Sequence, residues 1–328
     1  MMENKDRVLL EVKNLVKHYP IKAGVLQKTV GQVRSVDGVS FSIERGKTFG
    51  LVGESGCGKT TIGRTLIRLV EPTSGEALLN GRDIFRLNKK ELKALRPKIQ
   101  MIFQDPYSSL NPRMPVGEII GEAVREHNLV EKDRLKEYIL QVMEECGLRR
   151  YYIDRYPHEF SGGQRQRICI ARALALRPEL VIADEPVSAL DVSIQAQVIN
   201  LMKDLQTKNG LTYLFISHDL SVVEYLADMV GVMYLGSLVE LATKEQIFSN
   251  PKHPYTEALL SAVPIPDPDK KMNRIILEGD IPSASNPPKG CKFHTRCHKC
   301  MDICKEQAPV WKDYGDGHYT ACHLYSQE

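Results

Sequence analysis

A strand, a glycine-rich turn and a helix follow one another between residues 48 and 69, and this combination constrains the fold more than any other part of the chain. TFGLVG is an apolar run typical of a buried strand, and apolar residues recur at helical spacing after the turn. The turn itself, GESGCGKT (Gly53–Thr60), fits the pattern G-x-x-x-x-G-K-[ST], whose backbone N–H groups form a nest for phosphate. Lys59 adds a positive charge there, and the Thr60 hydroxyl suits Mg²⁺. The segment predicts a nucleotide site.

The rest of the chain predicts an α/β fold with a parallel sheet. The apolar runs LVIADE and LTYLFISH are each followed by helical sequence, and this alternation is typical of a doubly wound sheet. Residues 8–43 contain β-type runs separated by turns, which favours a small antiparallel sheet. From Leu110 to about Arg177 the pattern is mainly helical and interrupts the alternation. Proline-rich connectors, PIPDPDKK and IPSASNPPKG, then precede a cysteine-rich tail, so we expect one domain over 1–263 and a second over 264–328.

Two carboxylates end the apolar run of LVIADEP. Asp184 and Glu185 are expected at the carboxyl edge of the sheet, where ligands bind in folds of this type. Carboxylates beside phosphates repel them unless a cation is present, so Asp184 is a candidate for Mg²⁺ and Glu185 for accepting a proton from an attacking water. Gln104 in MIFQDP and His218 after LTYLFIS are candidates for contacts to metal, water and γ-phosphate, and Tyr19 for stacking on a purine. Each of the last three also fits an ordinary structural role.

The segment FSGGQRQRICIARALAL, residues 160–176, predicts a basic amphipathic helix opened by two glycines. Free N–H groups and the helix dipole at such a start favour an anion. Taken alone, the segment fits equally well a helix capped by Ser161 with no ligand. A second anion site is unexpected in a chain that already has a complete phosphate loop.

Taken together and in this order, the motifs resemble those of the ATPase subunits of ABC transporters. They are Gly53–Thr60, Gln104, Ser161–Gln164, Asp184–Glu185, Ser188–Asp191 and His218. The tail NPKHPYTEALLSAVPIPDP with GCKFHTRC is similar to that of bacterial di- and oligopeptide importers. The resemblance implies a P-loop NTPase fold with a RecA-like core, an antiparallel β subdomain, a helical subdomain over about 105–177 that docks on a permease, and a small Cys-rich C-terminal domain.

The resemblance also implies how two anion sites are used. Two ATPase subunits face each other head to tail, and each ATP lies between the phosphate loop of one and the SGGQ signature of the other. The ATP contacts expected within one subunit are Tyr19, Gly53, Glu54, Ser55, Gly56, Cys57, Gly58, Lys59, Thr60 and Thr61. Those expected to reach the nucleotide of the partner are Ser161, Gly162, Gly163, Gln164 and Asp191. The expected catalytic residues are Glu185, His218 and Gln104, and the expected Mg²⁺ ligands are Thr60, Gln104 and Asp184.

By the same resemblance, the chain is expected to hydrolyse ATP and so energise the uptake of di- or oligopeptides. The expected partners are a second ATPase subunit (a paralogue, giving a heterodimer), two permease subunits and an extracytoplasmic peptide-binding protein. The longest uncharged apolar run, residues 229–239, is shorter than the roughly 20 residues of a spanning helix, and the N-terminus has no apolar signal region. We therefore expect a peripheral protein on the cytoplasmic face of the inner membrane.

Three alternatives stay open at this point. Nickel and glutathione importers have similar ATPases. Soluble ABC ATPases that act on nucleic acid or ribosomes usually show a long coiled-coil insertion or two cassettes, whereas this chain has one cassette and a net charge of only +3, from 44 basic and 41 acidic residues. A non-hydrolysing regulatory module is disfavoured by the intact Asp184–Glu185 pair.

Five of the eight cysteines lie in the tail, spaced Cys291-x5-Cys297-x2-Cys300-x3-Cys304-x17-Cys322. Such a group can organise a small domain around a metal. A four-cysteine iron–sulfur cluster, a tetrahedral zinc, and free thiols or disulfides all fit the composition, although a reducing cytosol disfavours disulfides. Similar peptide-importer subunits carry a 4Fe–4S cluster on C-x5-C-x6-C…C. Cys291, Cys297, Cys304 and Cys322 match this pattern, and Cys300 is a possible alternative ligand.

Overall fold

The computed structural model describes residues 7–24, 27–264 and 273–325, so the connector PIPDPDKK lies, apart from Pro264, outside the described residues. The strands are β1 (Val8–Ala23), β2 (Lys28–Glu44), β3 (Thr48–Val52), β4 (Ser74–Leu79), β5 (Arg82–Asp83), β6 (Ile99–Ile102), β7 (Leu180–Asp184), β8 (Thr212–Ile216), β9 (Met229–Tyr234), β10 (Ser237–Thr243), β11 (Lys312–Asp313) and β12 (Tyr319–Thr320).

The helices alternate with these strands, as the sequence predicted for an α/β fold. They are α1 (Lys59–Leu66), α2 (Lys89–Leu95), α3 (Pro106–Ser109), α4 (Val116–Glu126), α5 (Leu135–Glu145), α6 (Gly162–Leu174), α7 (Val192–Asn209), α8 (Leu220–Leu226), α9 (Lys244–Ser249), α10 (Pro254–Ser261) and α11 (Asp302–Glu306). Within the described ranges, no helix is both long enough and apolar enough to span a bilayer.

The chain forms two compact units, each assembled from separate stretches of sequence. Of the described residues, the first unit contains 7–9, 43–47 and 86–216, and the second contains 10–24, 27–42, 48–85, 217–264 and 273–325. The proposed sequence boundary near residue 263 stays a prediction.

In the first unit, three parallel strands lie side by side, with β7 between β6 and β8. Ile102 of β6 is in register with Ala183 of β7, which is in register with Phe215 of β8. Every residue of β7 and β8 is buried, which agrees with their largely apolar sequences. Helices α4, α5 and α6 occur between β6 and β7 and pack against one another. This helical stretch separates two strands that are adjacent in the sheet.

In the second unit, β3 pairs in parallel with β9, and the antiparallel strands β10, β12 and β11 continue the sheet in that order. A second sheet has the order β2-β1-β4-β5, in which β4 pairs antiparallel with β1 and β5. This agrees with the antiparallel sheet predicted for residues 8–43. The described part of the cysteine-rich tail therefore extends the sheet that contains β3, and a separate Cys-rich domain stays a prediction.

The buried carboxylate of Glu240 connects the tail to this sheet. Glu240 of β10 is fully buried and accepts hydrogen bonds from the backbone N–H groups of Lys252 and His253, at 2.6 and 2.9 Å. His318 Nε2 lies 2.7 Å from the same carboxylate. Burial lowers the pKa of His253 to about 4, so this imidazole stays neutral, and its Nδ1 accepts the N–H of Tyr255 at the start of α10. One carboxylate thus orders both α10 and the segment leading to β12.

Candidate nucleotide-binding site

The predicted phosphate loop, Gly53–Thr60, joins β3 to α1 in a conformation that requires glycine. Gly53 and Gly58 have φ angles of 147° and 110°. A Cβ on Gly53 would lie 2.3 Å from the carbonyl oxygen of Met233, and one on Gly58 would lie 2.0 Å from that of Ser35. Two neighbouring main-chain oxygens therefore fix the path of the loop. The strand and helix that the sequence predicted on either side are both present.

Lys59 lies inside the loop and is only 4% exposed. Its Nζ donates to the carbonyl oxygens of Gly53 and Glu54 at 2.6 and 3.1 Å. Cys57 is buried beside it, and burial raises the pKa of this thiol, so the thiol stays neutral. The lysine thus brings a full positive charge to the centre of the loop.

Two further candidates belong to the same unit as the loop. The backbone N–H of Ser217 donates to the carbonyl of Leu51 at 3.1 Å, so the residue before His218 is tied to the strand that leads into the loop. The side chain of His218 is exposed. Tyr19, on β1, is 37% exposed, and the Nζ of Lys17 lies 4.7 Å from its ring centroid. Both side chains are accessible to a ligand.

In the first unit, the structure brings the side chains of Gln104 and Glu185 into contact. Gln104 Nε2 donates to Glu185 Oε2 at 2.8 Å. Glu185 follows Asp184, which ends β7 and is 1% exposed. Glu185 has a φ of 47°, a conformation that costs a non-glycine residue about 1–2 kcal/mol. Its N–H bonds to the carbonyl of Ile216 at 2.9 Å and helps to hold this geometry. Backbone strain of this kind is typical of functional sites.

The SGGQ segment forms a reciprocal capping box at the start of α6. Ser161 Oγ accepts the N–H of Gln164 at 3.4 Å, and Gln164 Oε1 accepts the N–H of Ser161 at 3.1 Å. The capping role of Ser161 that the sequence left open is therefore real. It is compatible with an anion site, because the box uses the N–H groups of the serine and the glutamine and not those of the two glycines between them.

The two signature glycines pack closely against the Ser188–Asp191 motif and the first turn of α7 that follows it. A Cβ on Gly162 would lie 3.3 Å from Leu190 Cδ2, and one on Gly163 would lie 2.4 Å from Ile194 Cγ2. Asp191 is the N-cap residue of α7. Asp191 therefore lies between the two residues, Leu190 and Ile194, that face the signature glycines, and its role toward a ligand stays a prediction.

The five tail cysteines influence one another electrostatically. Burial, together with the neighbouring thiols of Cys304, Cys297 and Cys300, raises the pKa of Cys291 to about 11. Burial and the thiols of Cys291, Cys297 and Cys304 raise the pKa of Cys322 to about 12. Burial is the larger cause of both shifts, and it favours the neutral thiol form of these two cysteines.

The histidines between these cysteines already have partners in the protein. His294, His298, His318 and His323 lie 2.9, 3.6, 2.7 and 2.9 Å from the Cys291 carbonyl, the Glu257 carboxylate, the Glu240 carboxylate and the Gln307 carbonyl, respectively. Among the described residues, no three Cys, His, Asp or Glu side chains are close enough to share one metal ion. A single zinc requires its thiolates about 2.3 Å from one point. The metal centre stays a prediction.

Sequence reasoning missed the groups that support the phosphate loop from distant parts of the chain. These are the carbonyls of Ser35 and Met233 and the hydroxyl of Tyr255, which accepts the N–H of Glu54 at 2.9 Å. Every residue has a main-chain oxygen, so the sequence does not indicate which of them support the loop. Nothing in the sequence around Tyr255 indicates a contact with the loop.

Two sequence families match the chain. The family described as "ABC transporter" matches residues 36–188, and "Oligopeptide/dipeptide transporter, C-terminal region" matches residues 239–304. The oligopeptide transport ATP-binding protein AppF of Bacillus subtilis (strain 168) is 55% identical over 99% of this chain and 100% of that protein. The dipeptide transport ATP-binding protein DppF of Escherichia coli (strain K12) is 53% identical over 98% of this chain and 95% of that protein.

The chain belongs to the ATP-binding subunits of the oligopeptide and dipeptide ABC importers. Its fold agrees with this family: the ATP-binding cassette MJ0796, solved as a dimer in a post-hydrolysis state with ADP and Pi, has a TM-score of 0.63 and 26% identity. That match covers 72% of this chain and 98% of the cassette. The resemblance drawn from the motifs is confirmed, and so are the P-loop ATPase fold and the assignment as an ABC-type ATPase.

The phosphate loop offers a matched pair of glycine substitutions. Gly56 has a φ of 81° but no atom within 4 Å of an added Cβ, so Gly56→Ala should cost only the left-handed conformation, about 1 kcal/mol. Gly58→Ala adds a collision with a main-chain oxygen that cannot rotate away, and we expect a loss of about 3 kcal/mol or more. Urea unfolding of the two variants measures the difference. Equal losses would show that the contact with Ser35 does not constrain the loop.

Proposed function

We propose that this chain binds MgATP at Gly53–Thr60 and hydrolyses it to drive the import of di- or oligopeptides. The observation that carries the proposal is the pairing of Glu185 with Gln104 directly after buried Asp184, in a chain that also has a complete phosphate loop. The names of the AppF and DppF relatives support a peptide as the transported substrate.

The phosphate loop supplies the binding energy for the nucleotide. Its N–H groups surround the β-phosphate, and the charge of Lys59 attracts the β- and γ-phosphate oxygens, exchanging the two carbonyl partners it has in this structure. Thr60, Gln104 and Asp184 are the residues that hold Mg²⁺, which neutralises phosphate charge when bound. Tyr19 stacks on the adenine through the exposed part of its ring.

Glu185 is the general base of the hydrolysis. Its carboxylate takes a proton from the water that attacks the γ-phosphorus, and Gln104 orients that carboxylate through the 2.8 Å hydrogen bond. His218 is accessible and donates to a γ-phosphate oxygen.

The signature serves the nucleotide of a second ATPase subunit. The first N–H groups of α6 have no partner inside the helix, and those of Gly162 and Gly163 suit a γ-phosphate oxygen presented from outside. Val192, directly after Asp191, is 82% exposed, which suits a surface that a partner covers. Because these contacts form only with γ-phosphate present, ATP joins the two subunits and hydrolysis releases them.

Gln104 is connected to the helices that we propose dock on the permease. It precedes Asp105, which caps α3, and the guanidinium of Arg165 on α6 lies 4.2 Å from the ring centroid of Tyr107 on α3. Arg172, also on α6, donates to the carbonyl of Ser109. A movement of the Glu185 and Gln104 side chains is thereby transmitted to helices α3 and α6. Docking on two permease subunits places the chain at the cytoplasmic face of the membrane, and a peptide-binding protein supplies the substrate on the other side.

We further propose that Cys291, Cys297, Cys304 and Cys322 hold a 4Fe–4S cluster, which when bound would link the segments containing these residues. What supports the proposal is the donor type, because four cysteine thiolates are the usual ligands of such a cluster and each binds a different iron. The nearby histidines already have partners within the protein. Cys300 is the residue that can replace one of the four.

Replacing the general base gives a direct test of the chemical role. Glu185→Gln should lower ATP turnover by about 10²–10⁴-fold, or roughly 3–6 kcal/mol of barrier, because the amide cannot accept the proton. Nucleotide affinity should be unchanged within about threefold, since the amide keeps the size of the side chain. Steady-state phosphate release and equilibrium ATP binding are the two measurements. Normal turnover with intact binding would remove Glu185 from this role.

The cluster proposal is tested by colour and composition. Protein purified without oxygen should be brown, contain about four irons and four sulfides per chain, and lose its visible absorption with dithionite. Cys304→Ser should reduce the iron content, whereas Cys169→Ser, at a buried cysteine outside the tail, should not. A colourless protein with one zinc per chain would contradict the proposal.

A further inference from the structure

A bidentate ion pair connects the phosphate loop to the tail. Arg296 Nη1 and Nη2 donate to Glu54 Oε2 and Oε1 at 2.7 and 3.0 Å. Glu54 is the second residue of the phosphate loop, and Arg296 directly precedes Cys297. The Arg296 side chain is 7% exposed and that of Glu54 is 25% exposed, so water screens this pair far less than a surface pair. We call residues 291–297 the cysteine segment.

An aromatic cluster supports the main chain of the same loop residue. Phe293 of the cysteine segment is 1% exposed, and its ring centroid lies 5.2 Å from those of both Tyr234 and Tyr255. Tyr255 accepts the backbone N–H of Glu54 through its hydroxyl at 2.9 Å. The cysteine segment therefore holds Glu54 through the side chain directly and through the main chain by way of Tyr255.

Lys292 supports the loop from a second direction. Its Nζ donates to the carbonyl of Leu235 at 3.1 Å and to Ser237 Oγ at 2.7 Å. The residue between these two, Gly236, donates its backbone N–H to the carbonyl of Cys57 within the phosphate loop at 2.9 Å. The lysine thus fixes the β9–β10 turn, and the turn fixes the loop.

The same lysine reaches toward the strand that carries the proposed adenine-stacking residue. Lys292 Nζ lies 2.8 Å from Asp37 Oδ2, and Asp37 Oδ1 lies 3.0 Å from His18 Nε2. The pKa of Asp37 is lowered, because the bonds and charges of Lys292 and His18 outweigh the effect of burial. His18 directly precedes Tyr19.

From these contacts we infer that the cysteine segment sets the nucleotide affinity of this ATPase, with Arg296 and Lys292 as the positioning residues that hold the phosphate loop ready for ATP. The inference rests on the proposal that Gly53–Thr60 is the nucleotide site. The tail thereby gains a role in ATP binding. Any modification of Cys291 or Cys297 that alters the conformation of residues 291–297 should alter the affinity for ATP.

The physical reason is the conformational entropy of the loop. Its three glycines have wide backbone freedom when unsupported, and ordering them around a phosphate opposes binding. A loop whose residues Glu54 and Cys57 are already held by the rest of the protein has lost that freedom before ATP binds. The support acts equally on ATP in the ground state and in the transition state, so its loss should raise KM and leave kcat unchanged.

Arg296→Met removes the charge and keeps most of the length of the side chain. We expect the Kd for ATP to rise by about 5- to 30-fold and kcat at saturating ATP to stay within about twofold. Lys292→Met should change Kd in the same direction by a smaller factor. The measurements are equilibrium binding of a fluorescent ATP analogue to the full-length chain and steady-state ATP hydrolysis.

Lys299→Met is the matched control. Lys299 lies three residues from Arg296 and also forms an ion pair, at 2.7 and 2.8 Å, but its partner Glu257 is on α10 and not in the phosphate loop. We expect its Kd and kcat to equal those of the unmodified chain. An Arg296→Met protein that binds ATP as tightly as this control would overturn the inference.

A double-mutant cycle with Glu54→Gln separates support of the loop from general loss of stability. If the ion pair carries the effect, the double variant should bind ATP no more weakly than the weaker of the two single variants. Independent, multiplying effects would contradict it. If Arg296→Met fails to fold, Lys292→Met alone must raise Kd without changing kcat. Lys59→Met tests the nucleotide site separately from the role of the cysteine segment. If this variant also leaves Kd unchanged, the proposed nucleotide site itself is wrong.

Discussion

The contact between two glycines and two main-chain oxygens is the constraint on which the rest of the site depends. Gly53 and Gly58 lie against the carbonyls of Met233 and Ser35, at distances that leave no room for a Cβ. Both positions therefore require glycine, and the loop between them leads into α1, where the Lys59 side chain lies against the loop carbonyls of Gly53 and Glu54. A short peptide with the same motif, without these oxygens, has no reason to adopt that conformation.

In the first unit, the end of β7 shows a comparable constraint on the backbone. Glu185 takes a left-handed backbone conformation directly after a fully buried strand, and hydrogen bonds to its N–H and its carboxylate maintain it. The parallel register of β6 and β7 explains why Gln104 is available for the second of these bonds, because each residue follows its strand by a similar number of positions. The sheet thus brings two side chains that are 81 residues apart in the sequence within hydrogen-bonding distance.

Local pattern predicted the elements whose sequence is distinctive, and long-range contacts account for what it missed. The phosphate loop, β7, β8 and the capped start of α6 were all predicted, because apolar runs and capping residues are local signals. Strand β6 was missed because its four residues, IQMI, are too few to show a period. The β9–β10 hairpin was missed because the uninterrupted apolar residues 229–239 fit strand and buried helix equally well. The pair between Arg296 and Glu54 joins residues 242 positions apart and leaves no trace in either segment.

The central claim is that a nucleotide bound to Lys59 and its loop on one subunit is also bound by the signature of another. The most direct measurement is ATP-dependent association of this chain with its partner ATPase, followed by light scattering in a background where hydrolysis is blocked. With Ser161→Arg in this chain, the account predicts that ATP still binds to its own loop with unchanged affinity but that the two subunits no longer associate fully. Unimpaired association by the Ser161→Arg chain would contradict the account.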